Sequence, residues 1–339
     1  MKNSIQKITS IKKNIDKANR ILLHLHPGPD GDSVGSTLAF YHVLRKMKKK
    51  VEIIAGDSPL PNFLSHLPGF SHIKAQNYHQ TDLDRFDLFI ILDSADLKFI
   101  SALGPLIFPP HLKTINIDHH STNPKYADIN LVDTSSPATC QILFTLFGQW
   151  GIKLDKKIAT CLLAGIYTDT AFKYNYTNWQ TFEIASKLCQ IYPQFSDLFS
   201  KIDNSNNPQT LKLAGLLLNS VKTYLSDHLA IASISLAKLK KYGLSKSDSK
   251  GMDVANLLKS VSTWHIAVTL FEVEPNLVKA SFRTNQPQTY NLAKIASFAG
   301  HQGGGHPAAA GATFKLSLSA TQEKIAKTVK KLYPKIDLT

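Results

Sequence analysis

Four short stretches in the first half of the chain carry side chains able to hold metal ions. The first is His26-Pro27-Gly28-Pro29-Asp30-Gly31-Asp32, which packs one imidazole and two carboxylates into seven residues. Its prolines and glycines let the chain fold back so that these groups converge. The alternation of Asp30 and Asp32 suits two neighbouring metals, one carboxylate each. The second is Asp93, at the end of the apolar run Asp87–Leu92. A carboxylate there is costly to bury unless it is paired or bound to a metal. The third, Asp118-His119-His120, leaves the end of Lys113–Ile117. The fourth is Asp169, which follows a long apolar helix face. Singly, each aspartate also reads as a helix cap or a turn residue. Four such sites, three of them at strand ends, are much harder to explain as caps, because ligands of an open α/β sheet collect beyond the carboxyl ends of its strands.

The elements that must position these groups alternate along the chain. Ile5, Ile8, Ile11 and Ile15 form a helical stripe over Ser4–Asn19. Ile21–Leu25, Val51–Ala55, Asp87–Leu92 and Ile115–Ile117 read as strands, and Ser36–Met47 as a helix for which Ser33 or Ser36 is the expected cap. His24 falls inside a strand and is expected in the core, while Asp96 is expected in a cap or turn. Strands alternating with helices predict an α/β domain with a mainly parallel sheet flanked by helices. Pro137–Trp150, Lys156–Tyr167 and Asn178–Leu188 are helical in pattern. Around 196–210 the composition turns polar, with Asn204, Asn206, Asn207 and Pro208 close together. The expected organisation is therefore a domain over 1–195, a linker and connecting helix over 196–224, and a smaller α+β domain over 225–339. In that second part, strands and helices alternate over His228–Ser235, Met252–Leu258, His265–Val273 and Leu277–Arg283. A helix over Asn291–Phe298, a glycine-rich turn over Gly303–Gly311, a strand over Thr313–Leu318 and a helix over Ala320–Leu332 complete it.

The chain has 339 residues, of which 43% are hydrophobic, so folded globular domains are expected. Lys and Arg number 39 against 25 Asp and Glu, a net charge of +14. Such charge suits a solvated surface or a polyanionic partner such as a nucleotide. Cys140, Cys161 and Cys189 are widely spaced and form no Cys-x-x-Cys pair. That argues against a disulfide framework and a thiolate zinc site, and for small core residues in a reducing compartment. No run approaches the ~20 apolar residues of a membrane span, and no secretory h-region follows the lysines near the start. A soluble cytoplasmic protein without membrane contact is the expectation.

His26-x-x-x-Asp30-x-Asp32, Asp93, Asp118-His119-His120 and Asp169 resemble, in order and spacing, the four motifs of the DHH phosphoesterases. Lys279-Ala280-Ser281-Phe282-Arg283-Thr284 and Gly303-Gly304-Gly305-His306-Pro307-Ala308-Ala309-Ala310-Gly311 resemble the substrate-binding signatures of the DHH-associated C-terminal domain. The resemblance covers nearly the whole chain and is nearest to the NrnA-like branch, which acts as oligoribonuclease and 3′-phosphoadenosine 5′-phosphate phosphatase. Gly28 stands where many members carry Arg, and Gly300-His301-Gln302 is an unusual lead into the glycine run.

The resemblance implies one metal held by His26, Asp30 and Asp93, and a second held by Asp32, Asp93, His119 and Asp169, with Asp93 bridging. Four aspartates balance two divalent ions, and the oxygen-rich set with some imidazole suits manganese or magnesium. Asp93, Asp118, His119 and His120 are the expected catalytic group, with Asp118 orienting His119 or its surroundings and His120 either on a substrate phosphate or supporting the metal ligands from behind. Arg283 is the expected phosphate fork, and the backbone of Gly303, Gly304 and Gly305 with His306 is the expected cradle for a second phosphate. The implied activity is two-metal hydrolysis of short oligoribonucleotides or nucleotide bisphosphates; family members often form homodimers. Hydrolysis of cyclic di-AMP or its linear product is the alternative substrate reading. A nucleotide-binding module without catalysis is the alternative of another class. An inorganic pyrophosphatase ranks lower.

Overall fold

Leu88–Leu92 (Leu-Phe-Ile-Ile-Leu) is buried at every position. Leu88, Ile90 and Leu92 enter one hydrophobic cluster, while Phe89 and Ile91 enter another on the opposite face. A strand with no polar side must sit at the centre of a sheet covered on both faces. It does so in the first of two units, Met1–Asn204 and Ser205–Thr339, into which the chain divides. The computed structural model describes residues 2–173, 177–205, 207–249 and 252–337; Asn206, one of the polar residues at the expected boundary, lies outside them.

The first unit opens with α1 (Lys2–Lys17), β1 (Arg20–His24), α2 (Gly31–Lys46) and β2 (Lys50–Ile54). It continues with β3 (Ile73–Lys74), β4 (Leu88–Leu92), β5 (Lys113–Asp118) and β6 (Ile129–Val132). Helices α3 (Thr139–Gln149), α4 (Lys156–Thr170), α5 (Trp179–Ile191) and α6 (Phe195–Asp203) follow. The strands are all parallel, in the order β3-β2-β1-β4-β5-β6. The chain therefore winds outward from β1 on one side, and returns to lay β4, β5 and β6 on the other. Ligand crevices of open sheets form at that reversal, beyond the carboxyl ends of the two inner strands. His26 follows β1 and Asp93 follows β4, so both stand at the reversal.

The second unit contains α7 (Pro208–Leu218), β7 (Lys222–Tyr224), β8 (Leu229–Ile234), α8 (Leu236–Lys241) and α9 (Val254–Leu258). After these come β9 (Ile266–Glu274), β10 (Leu277–Thr284), α10 (Leu292–Ala299), β11 (His301–Gly305), β12 (Ala309–Phe314) and α11 (Leu318–Leu332). Its strands run β11-β12-β10-β9-β8-β7, antiparallel except for β8 beside β9.

Several boundaries differ from expectation. The stretch 196–224 holds all of α6 but its first residue and all of α7 and β7, and α7 buries Leu213, Ala214 and Leu217 in a core cluster of the second unit. The helix within Met252–Leu258 starts at Val254, because Asp253 caps it through the amides of Ala255 and Asn256. The glycine-rich Gly303–Gly311 is a hairpin of β11 and β12, and the last strand ends at Phe314. Capping of α11 by Ser317 stops it extending to Leu318. Asp96 caps a short turn through the amide of Lys98, and His24 is buried edge-on against Phe89, as expected of each. Among the described residues, no helix is long and apolar enough to cross a membrane.

Candidate metal centre

Asp93 sits at the middle of the cluster and has an unusual backbone, with φ at 51° in the left-handed region. Its amide still donates to the Ile117 carbonyl at 3.0 Å, so the turn begins directly off the sheet. The side chain is 2% exposed. One carboxylate oxygen, Oδ2, lies 3.5 Å from His26 Nε2, and the other, Oδ1, lies 3.4 Å from His119 Nε2. His26 Nε2 is also 3.6 Å from Asp30 Oδ1, and His119 Nε2 is 3.6 Å from Asp169 Oδ2. Asp93 thus presents one oxygen to each of two donor groups: His26 with Asp30 on one side, His119 with Asp32 and Asp169 on the other. In each group the donor atoms lie within 4.8 Å of one another. The six side chains expected to meet do meet.

Asp30 does two jobs. Its Oδ1 accepts from the amides of Asp32 and Ser33, so it, and neither Ser33 nor Ser36, caps α2. That fixes the orientation of the carboxylate facing His26. Ser33 instead accepts from the His26 amide at 3.2 Å. His26 Nδ1 lies 3.2 Å from the Pro27 carbonyl, which can only accept. The neutral ring therefore carries its proton on Nδ1 and turns the Nε2 lone pair toward the carboxylates, the tautomer a metal ligand needs.

Asp32 is fully buried. Its oxygens accept from the backbone amides of Thr139 at 2.6 Å and Cys140 at 2.9 Å, the first turn of α3. The residue before that helix is Ala138, which has no side chain to cap it. A carboxylate from a residue 107 positions away supplies the cap instead, and the helix dipole favours the negative charge there. The sequence held one faint sign of this arrangement, a helix start with alanine in the capping place. Thr139 also donates its hydroxyl to Asp93 Oδ1 at 3.2 Å, a contact sequence reasoning missed.

Asp169 reaches the cluster from the last turn of α4, which packs tightly on α2. A Cβ on Gly165 would lie 2.3 Å from Cys140 Sγ and 2.7 Å from Asp32 Oδ1. Only glycine lets α2, α3 and α4 close on this point. Gly165→Ala is expected to destabilise the protein by about 1–3 kcal/mol, read as a lower urea midpoint, and to displace Asp32.

Asp118 engages the neighbouring His120 rather than His119 itself. Its Oδ1 lies 2.8 Å from His120 Nδ1, closer than the 3.8 Å from that nitrogen to Asp93 Oδ1. With Nδ1 held by a fully buried carboxylate, His120 is left with Nε2 as its free nitrogen on a side chain 36% exposed.

Without a bound cation, protons must balance the charge. Burial alone would lower His26, but hydrogen bonds and charge from Asp30 and Asp93 outweigh it and carry the group up to about 10. His119 is carried against burial to about 9 by Asp93, with the charges of Asp32 and Asp118 adding to it. Burial, then the charge of Asp93, pushes Asp32 up to about 7, and burial followed by its three neighbours pushes Asp169 well above the carboxylate range. Asp93 alone falls below that range: burial would raise it, but His119 and His26 outweigh burial. A site that draws protons onto imidazoles and carboxylates alike is one short of positive charge. Four carboxylates and two imidazoles, free of thiolates, fit a pair of hard or borderline divalent ions.

The remaining expected residues lie in the second unit. Arg283 on β10 is paired in register with Ala309 of β12. Its Nη2 lies 2.7 Å from Asp253 Oδ2, and its Nη1 donates to the Phe282 carbonyl at 2.8 Å. The hairpin turn places His306 at the same end of the sheet, its amide donating to the Ala309 carbonyl at 2.7 Å. The three glycines are not equivalent. A Cβ on Gly303 would lie 2.0 Å from the Ala296 carbonyl oxygen, so this glycine serves the contact with α10. Gly305 pairs with Ala310 in the ladder, and only Gly304 of the three has open space beside it. The unusual lead is a bulge, with Gln302 at φ 49°.

A model described as the DHH family, N-terminal domain, matches residues 20–166, and one for the DHHA1 domain matches 252–334. A Thermus thermophilus protein named bifunctional oligoribonuclease and PAP phosphatase NrnA is 30% identical over 314 residues, covering 91% of this chain and 89% of its own. The chain belongs to the DHH family. The Bacillus subtilis protein of the same name is 28% identical over 312 residues, 90% of this chain and 92% of its own. Among solved structures, an exopolyphosphatase-related protein from Bacteroides fragilis superposes with a TM-score of 0.88 at 26% identity, over 98% of this DHH chain and 97% of that one.

Proposed function

We propose that this DHH protein is a manganese-dependent phosphoesterase that hydrolyses short oligoribonucleotides to mononucleotides and removes the 3′-phosphate of 3′-phosphoadenosine 5′-phosphate. The observation that carries the reading is the division of the Asp93 carboxylate, one oxygen to His26 and the other to His119. The names of the Thermus and Bacillus relatives support the substrate class.

Two divalent cations, held by His26, Asp30 and Asp93 and by Asp32, Asp93, His119 and Asp169, would supply polarisation of the phosphoryl oxygens and a water activated at neutral pH. The chain's own residues do the rest. Asp93 keeps the two donor groups at a fixed separation. Asp30 and Asp32 are locked by backbone amides, so neither reorients when charge develops on the substrate. His120, held at Nδ1 by Asp118, directs Nε2 to the leaving oxygen and gives it a proton as the phosphorus–oxygen bond breaks. In the second unit Arg283, set by Asp253, takes a further substrate phosphate through its fork. Gly304 leaves its backbone open to that group, while Gly303 and Gly305 shape the hairpin. Arg283→Ala is expected to raise KM for phosphorylated substrates roughly tenfold or more, the loss of one charge-assisted bond, with kcat changed little; steady-state kinetics read both.

The direct test is the purified chain with manganese, assayed side by side on a diribonucleotide, 3′-phosphoadenosine 5′-phosphate and cyclic di-AMP. Hydrolysis of the first two supports the proposal. Hydrolysis of cyclic di-AMP alone replaces the substrate assignment, and hydrolysis of none overturns the enzyme reading.

A further inference from the structure

Behind Asp118 lies a set of two amides and one phenol, Asn116 buried and Asn123 and Tyr126 half-buried, that the reaction as described does not use. Asn123 Nδ2 donates to Asp118 Oδ2 at 2.6 Å and to Asn116 Oδ1 at 2.7 Å. Asn116, fully buried on β5, donates in turn to the carbonyls of Ile91 and Ser94. The Ser94 carbonyl also accepts from Tyr126 Oη at 2.9 Å and lies 3.4 Å from Asn123 Nδ2. One carbonyl, next in the chain to Asp93, therefore gathers donors from β5 and from the loop after His120. The amide of Lys125 donates to Asn123 Oδ1 at 2.7 Å, which fixes which end of the Asn123 side chain faces Asp118.

A carboxylate with two oxygens can rotate unless both are engaged. His120 holds Oδ1 of Asp118, and Asn123 holds Oδ2. We infer that Asn123 is a positioning residue: it clamps Asp118 so that His120 keeps its Nδ1 proton inward and aims Nε2 at the leaving oxygen. The inference rests on the proposed role of His120. In that step the phosphorus–oxygen bond breaks and the leaving oxygen keeps its electron pair. It takes the proton from Nε2 of the doubly protonated ring, which becomes neutral and keeps Nδ1–H on Asp118. Loss of the clamp lets Asp118 turn, and His120 loses its aim without leaving the protein.

A clamp of this kind has a signature that general loosening lacks. A nucleoside leaving group needs the proton, whereas 4-nitrophenolate leaves with little help. Asn123→Ala is expected to lower kcat on a diribonucleotide about tenfold or more, the scale of a positioned proton donor partly lost. It should change kcat on a 4-nitrophenyl phosphodiester less than about threefold, with KM and bound metal near wild type. In a His120→Ala background the same change should cost nothing further, since the clamp then has nothing to aim. Asn123→Ser, which disturbs the loop less, carries the same comparison if the alanine protein folds poorly. Equal losses on both substrates, or additive losses with His120→Ala, overturn the inference while leaving the phosphoesterase reading intact. A wild-type protein inactive on both substrates overturns that reading itself.

Discussion

Asp93→Asn is expected to lower kcat/KM by at least ~10³-fold, a loss of about 4 kcal/mol of transition-state stabilisation. Asparagine is the informative replacement because it preserves size and tolerates the left-handed backbone that Asp93 occupies at φ 51°. Alanine would add backbone strain to the chemical change. The amide keeps one oxygen and replaces the other by a nitrogen that carries protons. That nitrogen must face His26 or His119, and whichever it faces loses a ligand oxygen. Thr139, whose hydroxyl donates to Oδ1, resists turning the nitrogen that way, so the His26 side is the one expected to fail. The measurement is steady-state turnover together with metal content after dialysis. Two equivalents of metal with near-normal turnover would refute the bridging role of Asp93.

What the sequence made legible followed the physical range of its signals. The fully apolar Leu88–Leu92 is unmistakable as a central strand, and the motifs brought out His26, Asp30, Asp32, Asp93, His119, His120 and Asp169, whose donor atoms form the three groups of the cluster. Edge strands were harder. Ile73–Lys74 is two residues long, and Ile129–Val132 buries only Leu131 fully, so neither offers a run long enough to show a period. Local chemistry also misled: Ser33 and Ser36 are good caps by type, yet Asp30 stands at the start of the helix and takes the role. The pairing of Asp118 with His120 depends on how one loop turns after β5, which spacing does not specify. Contacts between Asp32 and the amides of α3 join residues 107 and 108 apart, and backbone amides leave no trace in residue type. Gly165 lies within the expected helix Lys156–Tyr167, and only the approach of three helices shows what it is for.

Asp169→Asn is expected to do two opposite things, abolishing turnover while raising the thermal midpoint of the metal-free protein. The carboxylate is 19% exposed and shares its surroundings with Asp30, Asp32 and Asp93, whose charges, after burial, push it well above the carboxylate range. Two unit charges 4 Å apart interact by about 4 kcal/mol at an effective dielectric of 20. Bound protons already relieve part of that, so about 1–2 kcal/mol is the expected gain, or ~2–8 °C for a unit of this size. The pH dependence has a definite sign. Asp169 and Asp32 are raised acids, so the folded state holds more protons than the unfolded one between the ordinary carboxylate range and, for Asp32, about 7. His26 and His119, raised to about 10 and about 9, extend the excess from their ordinary 6.5 upward. The contribution of these four groups to the stability of the metal-free protein therefore falls as pH rises from about 5 to 9, opposed below about 6.5 by His24, His42, His66 and His265, all lowered by burial. Asp169→Asn should flatten the lower part of that slope, and added manganese, displacing the protons, should flatten all of it in the wild type. The variant keeps Asp32 and His119 but lacks the third donor of their group, so manganese should raise its midpoint less than that of the wild type. Melting curves over pH, with and without manganese, decide the matter. A metal-free midpoint that drops on losing this carboxylate would mean that Asp169 stabilises the fold, and the acidic cluster could no longer be regarded as strain held for the sake of cations.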